Sequence, residues 1–326
     1  GQVGAAQLGE VMGGDGIRLG EDGAPAGRRG GALPRRRDAG DVHPPLDRHG
    51  GDGLGEGAAP AKALATPAEA LAASGEALAT PGADAGPSGQ TAGAFAAEAN
   101  GLRWLAEAAA VPVPEVLAAG PEALVISMIP PGAATPEAAF GFGTELARLH
   151  AAGAAGFGAP WPGFIASLPL DNTPDAADWP HWYAQRRLLP FLTRAVDAGA
   201  LRSHEARLVE EVVDRIGSLA GPAEPPSRIH GDCWAGNVLW SGGRGWLIDP
   251  AAHGGHRETD LAMLALFGAP DLDRILAGYN DTVPLAAGWR ARIPLHQLHP
   301  LLVHACLYGA LYQEQVGSAA RAALAI

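Results

Sequence analysis

The pattern of hydrophobic and polar positions changes sharply near residue 94. Before Phe95 the chain contains no Phe, Trp or Tyr, and Ile17 is its only isoleucine. A segment so poor in aromatic and β-branched residues buries too little surface to offset the entropy of ordering its backbone, and it lacks the residues that favour strands. We therefore predict that residues 1–93 form a low-complexity Gly-, Ala- and Pro-rich segment, either disordered or mistranslated in a wrong reading frame.

From residue 95 onward, apolar residues recur with the spacing of helices and strands. The first helix is predicted over Phe95–Ala110, with Leu102 and Ala109 on its apolar face. The run Ala123–Ile129, closed by two prolines, predicts a buried strand. Further helices are predicted over Pro136–Ala152, Asp178–Ala198, Ser203–Ala220, Asp260–Phe267, Asp271–Tyr279 and Pro294–Gln315, with Thr135 and Ser203 as N-caps.

Charge and cysteine content narrow the classes of partner. The formal net charge of -12 argues against nucleic acid or an anionic membrane as the main partner. No apolar run reaches the roughly 18 residues that a membrane-spanning helix needs, and no secretory signal is recognisable. The two cysteines, Cys233 and Cys306, suit neither a disulfide framework nor a metal site, so a reduced, cytoplasmic location is expected.

The densest cluster of polar chemistry lies between residues 228 and 258. His230 and Asp232 are followed by Asn237, and a short hydrophobic strand then ends in Asp249. Phosphoryl transfer needs a carboxylate that accepts the proton of the attacking hydroxyl, and oxygen ligands for Mg²⁺. The spacing matches the catalytic loop of protein kinases, where His-x-Asp precedes an Asn by the same interval. The alternative is a pair of Asx turns in a surface loop.

The segments HGDCWAGNVLW and WLIDPAAHGGHRETDLAML resemble the fructosamine/ketosamine kinase family, whose members are similar to aminoglycoside phosphotransferases and, more remotely, to protein kinases. The resemblance covers roughly residues 94–315. It implies a protein-kinase-like α+β fold with an incomplete or atypical N-terminal lobe. Residues 94–131 would be the remnant of the small lobe and the hinge, and residues 132–326 the mostly helical catalytic lobe.

The resemblance also implies roles for individual residues. Asp232 would be the base that receives the proton of the sugar hydroxyl, and Asn237 and Asp249 would hold Mg²⁺ beside ATP. The remaining residues of the implied site are His230 and Trp234 in the catalytic loop, and His256, Glu258 and Asp260, which would buttress that loop by hydrogen bonds. Asp260 could instead simply cap the helix it begins, and Trp234 could be a packing residue.

The implied nucleotide site has a conspicuous gap. Glu98 would pair with the ATP-binding lysine, and Met128 and Ile129 would lie at the hinge beside the adenine, although Glu98 could equally be an exposed helix residue. The only lysine of the chain is Lys62, whose Ala-rich surroundings do not read as a strand. A non-catalytic kinase-like protein is therefore an open alternative. An aminoglycoside or choline phosphotransferase is a further one, which the GHRETDLA segment disfavours.

The activity that the resemblance implies is ATP-dependent phosphorylation of a ketosamine on the third carbon of its sugar. The amine could be a free amino acid or a protein lysine. The product of such a reaction is unstable, so the implied role is deglycation repair.

Overall fold

The computed structural model describes residues 93–174 and 178–326, together with the backbone of residues 78–81. The first part is a three-stranded antiparallel sheet and one helix. Strand β1 (Leu78–Pro81) and strand β2 (Val116–Ala119) both pair with the central strand β3 (Ala123–Ile126). Helix α1 (Ala94–Glu107) packs on this sheet through contacts of Ala99 and Leu102 with Leu124. This small unit precedes a much larger helical region.

Two predicted elements near the start of this region were too long. Helix α1 ends at Glu107, because Ala109 adopts a left-handed backbone (φ 48°) and is exposed, so Ala109 does not join the apolar face of the helix. Strand β3 ends at Ile126, and within it only Leu124 is buried. Strand β1 falls inside the segment that was predicted to lack strands. The rest of residues 1–92, including Lys62, lies outside the described residues.

Among the described residues, the helical region contains eight α-helices and one π-helical turn, with short antiparallel strand pairs and 3₁₀ turns between them. Thr135 caps its first helix as predicted, since its hydroxyl accepts a hydrogen bond from the backbone N–H of Ala138 (3.1 Å). Ser203 is not a cap, because it is already the first helical residue and Arg202 precedes it without a side-chain cap. The helices are α2 (Pro136–Ala151), α3 (Trp179–Tyr183), a π-helical turn (Ala184–Leu188), α4 (Leu189–Asp197), α5 (Ser203–Leu219), α6 (Glu258–Leu266), α7 (Leu272–Thr282), α8 (Trp289–Tyr308) and α9 (Gln313–Leu324).

Two antiparallel hairpins and one further antiparallel strand pair complete the described part of the chain. Strands β4 (Gly163–Ile165) and β5 (Leu168–Leu170) form the first, and β7 (Val238–Ser241) and β8 (Arg244–Leu247) form another. Strand β6 (Ser227–Ile229) pairs with β9 (His253–Gly255). The loops after β6 and β8 hold the polar cluster found in the sequence. Within the described residues, no helix is both long and apolar enough to cross a membrane.

Helix α8 begins and ends earlier than predicted and passes through two prolines. It begins at Trp289 and contains Pro294 and Pro300. Because Pro300 has no backbone N–H, the carbonyl of His296 loses its usual helical partner. The hydroxyl of Tyr183 lies 3.3 Å from that carbonyl and 3.1 Å from the carbonyl of Leu295, and it supplies the missing donor. Helices α3 and α8 are thus joined at the point where the proline weakens α8.

Helices α2 and α7 approach so closely that glycine is required at their crossing. A Cβ atom on Gly143 would overlap the carbonyl oxygen of Ile275, and one on Gly278 would overlap the carbonyl oxygen of Phe140. The contact is backbone against backbone, which no side chain can relieve. This crossing fixes the distance between the two helices that carry the buried side chains behind the catalytic loop.

We predict that Gly143→Ala lowers the free energy of unfolding by about 1–3 kcal/mol, because the added methyl group forces the two helices apart. Urea unfolding followed by circular dichroism measures this. Gly141→Ala is the matched control on the same helix, since a Cβ there meets nothing within 4 Å. That control should raise stability by about 0.5–1 kcal/mol through helix propensity. Equal effects of the two substitutions would contradict the close crossing.

Candidate active site

The loop between β6 and β7 brings three of the predicted site residues together. The side-chain amide of Asn237 donates to the carbonyl (2.9 Å) and to the carboxylate (3.1 Å) of Asp232, and lies 3.4 Å from the carbonyl of Asp249. A 3₁₀ turn over Ala235–Asn237 directs the Asn237 side chain back towards Asp232. The loop is therefore closed on itself by one amide group, and the two acidic residues lie on either side of it.

Asp249 follows strand β8 in a left-handed backbone conformation (φ 52°), and its side chain is exposed. This conformation is uncommon for a residue other than glycine, and strain of this kind is often found at functional sites. The neighbouring N–H of Ile248 donates to the carbonyl of Asn237 (3.1 Å), which holds the end of the strand against the catalytic loop. The hairpin thus presents the Asp249 carboxylate beside Asp232.

Two carboxyl groups near Asp249, those of Asp232 and Glu98, have raised pKa values. Burial, followed by the charge of Asp249, raises the pKa of Asp232 to about 8, although the hydrogen bond from Asn237 opposes the shift. Burial and Asp249 likewise raise the pKa of Glu98 to about 7. Glu98 is partly buried on helix α1 and faces Asp249, so the alternative of an exposed helix residue is wrong. A site with this much uncompensated negative potential favours a cation.

The side chain of His230 hydrogen-bonds to both segments that carry the acidic residues of the site. Its Nδ1 accepts a hydrogen bond from the N–H of Asp232 (3.3 Å), so the proton lies on Nε2, which donates to the carbonyl of Ile248 (2.9 Å). Burial lowers the pKa of His230, which favours the neutral ring that this pattern requires. The imidazole therefore acts as a bridge between the Asp232 loop and the strand that ends at Asp249.

Asp260 holds the catalytic loop through its backbone. Its fully buried carboxylate accepts hydrogen bonds from the N–H groups of His230 (2.7 Å) and Gly231 (3.0 Å), and from Nε2 of His150 (3.1 Å). Burial would raise the pKa of Asp260, but the hydrogen bonds from His150 and from the His230 backbone help to outweigh it, and the pKa is lowered. Arg257 precedes helix α6, so the interpretation of Asp260 as its cap is wrong.

His150 is itself fixed by a residue that the sequence did not single out. The hydroxyl of Tyr279 lies 2.7 Å from Nδ1 of His150, and both side chains are buried between helices α2 and α7. Nε2 of His150 faces the Asp260 carboxylate, which leaves Nδ1 to hydrogen-bond with the Tyr279 hydroxyl. A pair 129 residues apart in the chain leaves no local signal, which is why Tyr279 was missed.

The side chains of His256 and Glu258 make no hydrogen bond to the catalytic loop, contrary to the expectation that they buttress it. The Glu258 carboxylate binds the guanidinium of Arg292 at 2.6 and 2.9 Å, and it lies 3.4 Å from Nε2 of His296. Nδ1 of His256 accepts from the N–H of Glu258 (3.2 Å). These three, His256, Glu258 and His296, are close enough to bind a metal ion, but the bidentate arginine already neutralises the carboxylate. The group ties helix α6 to helix α8.

The predicted hinge and the loop tryptophan have packing contacts around the site. Met128 and Ile129 are half-buried in the extended segment after β3, which then passes close to strand β7 at Gly132. The ring of Trp234 lies over Gly236 so closely that a Cβ there would overlap it. The same ring meets Phe267 edge-to-face at 6.0 Å. Trp234 therefore shapes the loop and also contacts the end of helix α6.

Comparison with known proteins shows to which family the chain belongs. A sequence profile of the fructosamine kinase family matches residues 88–325. The chain belongs to the fructosamine kinase family. A probable ketoamine kinase of Escherichia coli K12 is 34% identical over 220 residues, which cover 66% of this chain and 75% of that protein. A probable ketoamine kinase of Thermus thermophilus is 33% identical, covering 68% and 79%.

Solved structures agree with the assignment of the chain to this family. A Thermobifida fusca protein, provisionally named a fructosamine-3-kinase, is 54% identical and superposes with a TM-score of 0.73, covering 76% of this chain and 85% of that one. A Haemophilus somnus protein named in the same way superposes with a TM-score of 0.65 at 21% identity, covering 76% and 82%, and supports the fold. The predicted protein-kinase-like α+β fold is confirmed, and the chain is a kinase.

We predict that Asp260→Asn lowers the free energy of unfolding by about 3 kcal/mol or more, since the amide N–H₂ cannot accept from the backbone N–H groups it would face. The pKa of Asp260 is lowered in the folded state, so its contribution is present above the unfolded pKa and is lost as the pH falls through the folded pKa. The difference in the free energy of unfolding between the wild type and Asp260→Asn should therefore become smaller as the pH falls.

Hydrogen exchange at the amides of His230 and Gly231 checks the local cause, since protection there should fall in the Asp260→Asn variant. Asp214→Asn, an exposed acid on helix α5, is the control and should change neither stability nor protection. A variant of Asp260 with unchanged loop protection would show that the loop is held by other contacts.

Proposed function

We propose that this kinase transfers the γ-phosphate of ATP to the 3-hydroxyl of a ketosamine. The proposal is carried by one observation: Asp232, Asn237 and Asp249 converge on a single loop and hairpin within a chain of the fructosamine kinase family. Phosphoryl transfer needs mainly positioning and charge stabilisation, and this constellation offers both. The names of the relatives support a ketosamine as the substrate, and the product fits a role in deglycation. The expected cytoplasmic location stays a prediction.

In this mechanism Asp232 orients the attacking hydroxyl and accepts its proton. One oxygen of its carboxylate is fixed by the Asn237 amide, which leaves the other for the substrate. A pKa of about 8 makes the group a competent base near neutral pH, and a nearby cation would bring more of it into the ionised form. Asp260 and His230 would keep this carboxylate in place through the loop backbone.

The donor set beside Asp232 fits a magnesium ion. Within the described residues, the side-chain oxygen of Asn237 accepts no hydrogen bond, and the exposed carboxylate of Asp249 has no hydrogen-bonding or ion-pair partner. Carboxylate and amide oxygens are the protein ligands that Mg²⁺ prefers. We propose that Asn237 and Asp249 hold Mg²⁺, which would neutralise charge on the ATP phosphates.

The proposed nucleotide contacts are the hinge and helix α1. Met128 and Ile129 would lie against the adenine, and Glu98 would orient the group that contacts the α- and β-phosphates. In related folds that group is a lysine, and here the only lysine is Lys62. A second candidate function, a kinase-like protein without turnover, is favoured by this one observation. The same experiment separates the two.

We predict that the purified chain releases ADP from Mg-ATP when a fructosamine or ribulosamine is added, and that Asp232→Asn reduces this release by about 10²-fold or more. The substitution keeps the size of the side chain and the loop contacts of its backbone. A coupled assay measures ADP, and a thermal melt confirms that both proteins are folded. Folded wild-type protein that releases no more ADP than the variant would support the candidate without turnover.

Titration of the carboxyl groups gives an independent prediction. Without a divalent cation Asp232 should titrate near pH 8 and Glu98 near pH 7, and Mg²⁺ should lower the pKa of both because it compensates the charge of Asp249. Carbon-13 NMR of labelled carboxyl groups measures these shifts. Asp249→Asn should lower both pKa values without any cation. A spectrum that does not respond to Mg²⁺ would argue against this metal site.

A further inference from the structure

An aromatic cluster leads away from the catalytic loop and is not explained by the proposed mechanism. It consists of Phe267 at the end of helix α6, His304 and Tyr308 on helix α8, and Tyr312 in the 3₁₀ turn that follows. The ring of His304 lies 5.1 Å from Phe267, 5.6 Å from Tyr308 and 4.8 Å from Tyr312. Tyr308 and Tyr312 are 5.9 Å apart. We call these four residues the aromatic cluster.

The aromatic cluster is continuous with the catalytic loop. Its first member, Phe267, meets the ring of Trp234 at 6.0 Å, and Trp234 follows Asp232 by two residues. The row of rings therefore begins at Trp234, two residues along the chain from the proposed base, and ends at the bend between α8 and α9. The bend is produced by Gly309, whose positive φ (70°) ends helix α8.

None of the four side chains is fully buried. Tyr308 is 42% exposed, and its neighbour Leu311 is 78% exposed. Phe267, His304 and Tyr312 are of intermediate exposure. Contiguous exposed apolar surface of this kind commonly marks a binding site. Because Trp234 connects the cluster to the catalytic loop, a group attached to the sugar being phosphorylated is the natural occupant.

Besides the hydroxyl groups of Tyr308 and Tyr312, the aromatic cluster offers one ring nitrogen as an acceptor. Nδ1 of His304 donates to the carbonyl of Pro300 (2.7 Å), so Nε2 carries a lone pair, and it has no hydrogen-bond partner among the described residues. Burial lowers the pKa of His304, which keeps the ring neutral. No ion pair in residues 178–326 involves the four side chains. Tyrosine faces and a neutral acceptor together suit a cation that carries an N–H group.

We infer that the aromatic cluster binds the amine portion of the ketosamine and selects for amines that bear an aromatic or apolar group. The secondary amine of a ketosamine is protonated in water near neutral pH. It would donate to Nε2 of His304 and lie against the faces of Tyr308 and Tyr312, while the apolar group stacks on the remaining rings. This inference rests on the proposed function, because it assumes that the sugar is held at Asp232.

Three ligands separate the contributions: 1-benzylamino-1-deoxyfructose, 1-methylamino-1-deoxyfructose, which lacks the ring, and 1-O-benzylfructose, which lacks the amine. Binding to the full chain is measured by calorimetry. Tyr312→Leu should weaken the two benzyl ligands by about three- to tenfold and the methylamino ligand by less than about twofold. His304→Phe keeps an aromatic ring but removes the acceptor. It should weaken both amines by about three- to tenfold and leave the benzyl ether unchanged.

Tyr308→Leu, at the most exposed ring, repeats the Tyr312 test where loss of folding is not a concern. Phe140→Leu is the control, an exposed aromatic residue on helix α2 outside the cluster. Equal weakening of all three ligands by Tyr312→Leu, no weakening at all, or no binding of any ligand to the wild type would overturn the inference.

The inference and the proposed function fail in different ways. In one case the methylamino ligand is phosphorylated, but the benzyl ligands bind no more tightly and Tyr312→Leu does not change their affinity. That result would overturn the inferred role of the aromatic cluster and leave the kinase activity intact. The benzyl ligands could instead bind in a way that depends on Tyr312, while a ketosamine does not stimulate ADP release. That result would support the aromatic cluster as a binding site and overturn the proposed kinase activity.

Discussion

The geometry of the site depends on the hydrogen bonds that the buried carboxylate of Asp260 accepts. A negative charge buried without partners would cost far more free energy than a domain can supply, so it must be matched by several donors. Here two of those donors are consecutive backbone N–H groups of the catalytic loop. The need to satisfy the buried charge therefore imposes the conformation of His230 and Gly231. The direction of Asp232 follows from it.

The same carboxylate connects the loop to the helical core. His150 reaches it from helix α2, and Tyr279 holds His150 from helix α7. The spacing of these two helices is set by the glycines at their crossing, where backbone meets backbone. The position of the catalytic loop is thus fixed by a rigid contact between helices rather than by other loops. Preorganisation of this kind is what phosphoryl transfer requires from a protein, because little covalent chemistry is left to it.

Sequence reasoning found the residues of the catalytic loop but not the contacts behind them. Asp232, Asn237 and Asp249 lie within a short stretch whose spacing carries the chemistry. Tyr279 and Arg292, in contrast, act on partners far away in the chain, and no periodic pattern marks them. Helix α8 was predicted to begin at Pro294, because a proline normally starts or breaks a helix. The donor that offsets Pro300 comes from Tyr183, which only the tertiary structure shows.

The hydroxyl of Tyr183 also bears on how the chain folds. Helix α8 cannot satisfy its own carbonyl groups at Pro300, so its full length becomes stable only once the segment around Tyr183 has docked on it. These partners are more than 110 residues apart, and the loop between them must close before the helix is complete. Folding of the C-terminal region is therefore non-local despite its helical content, and residues 289–324 as an isolated peptide would form little helix.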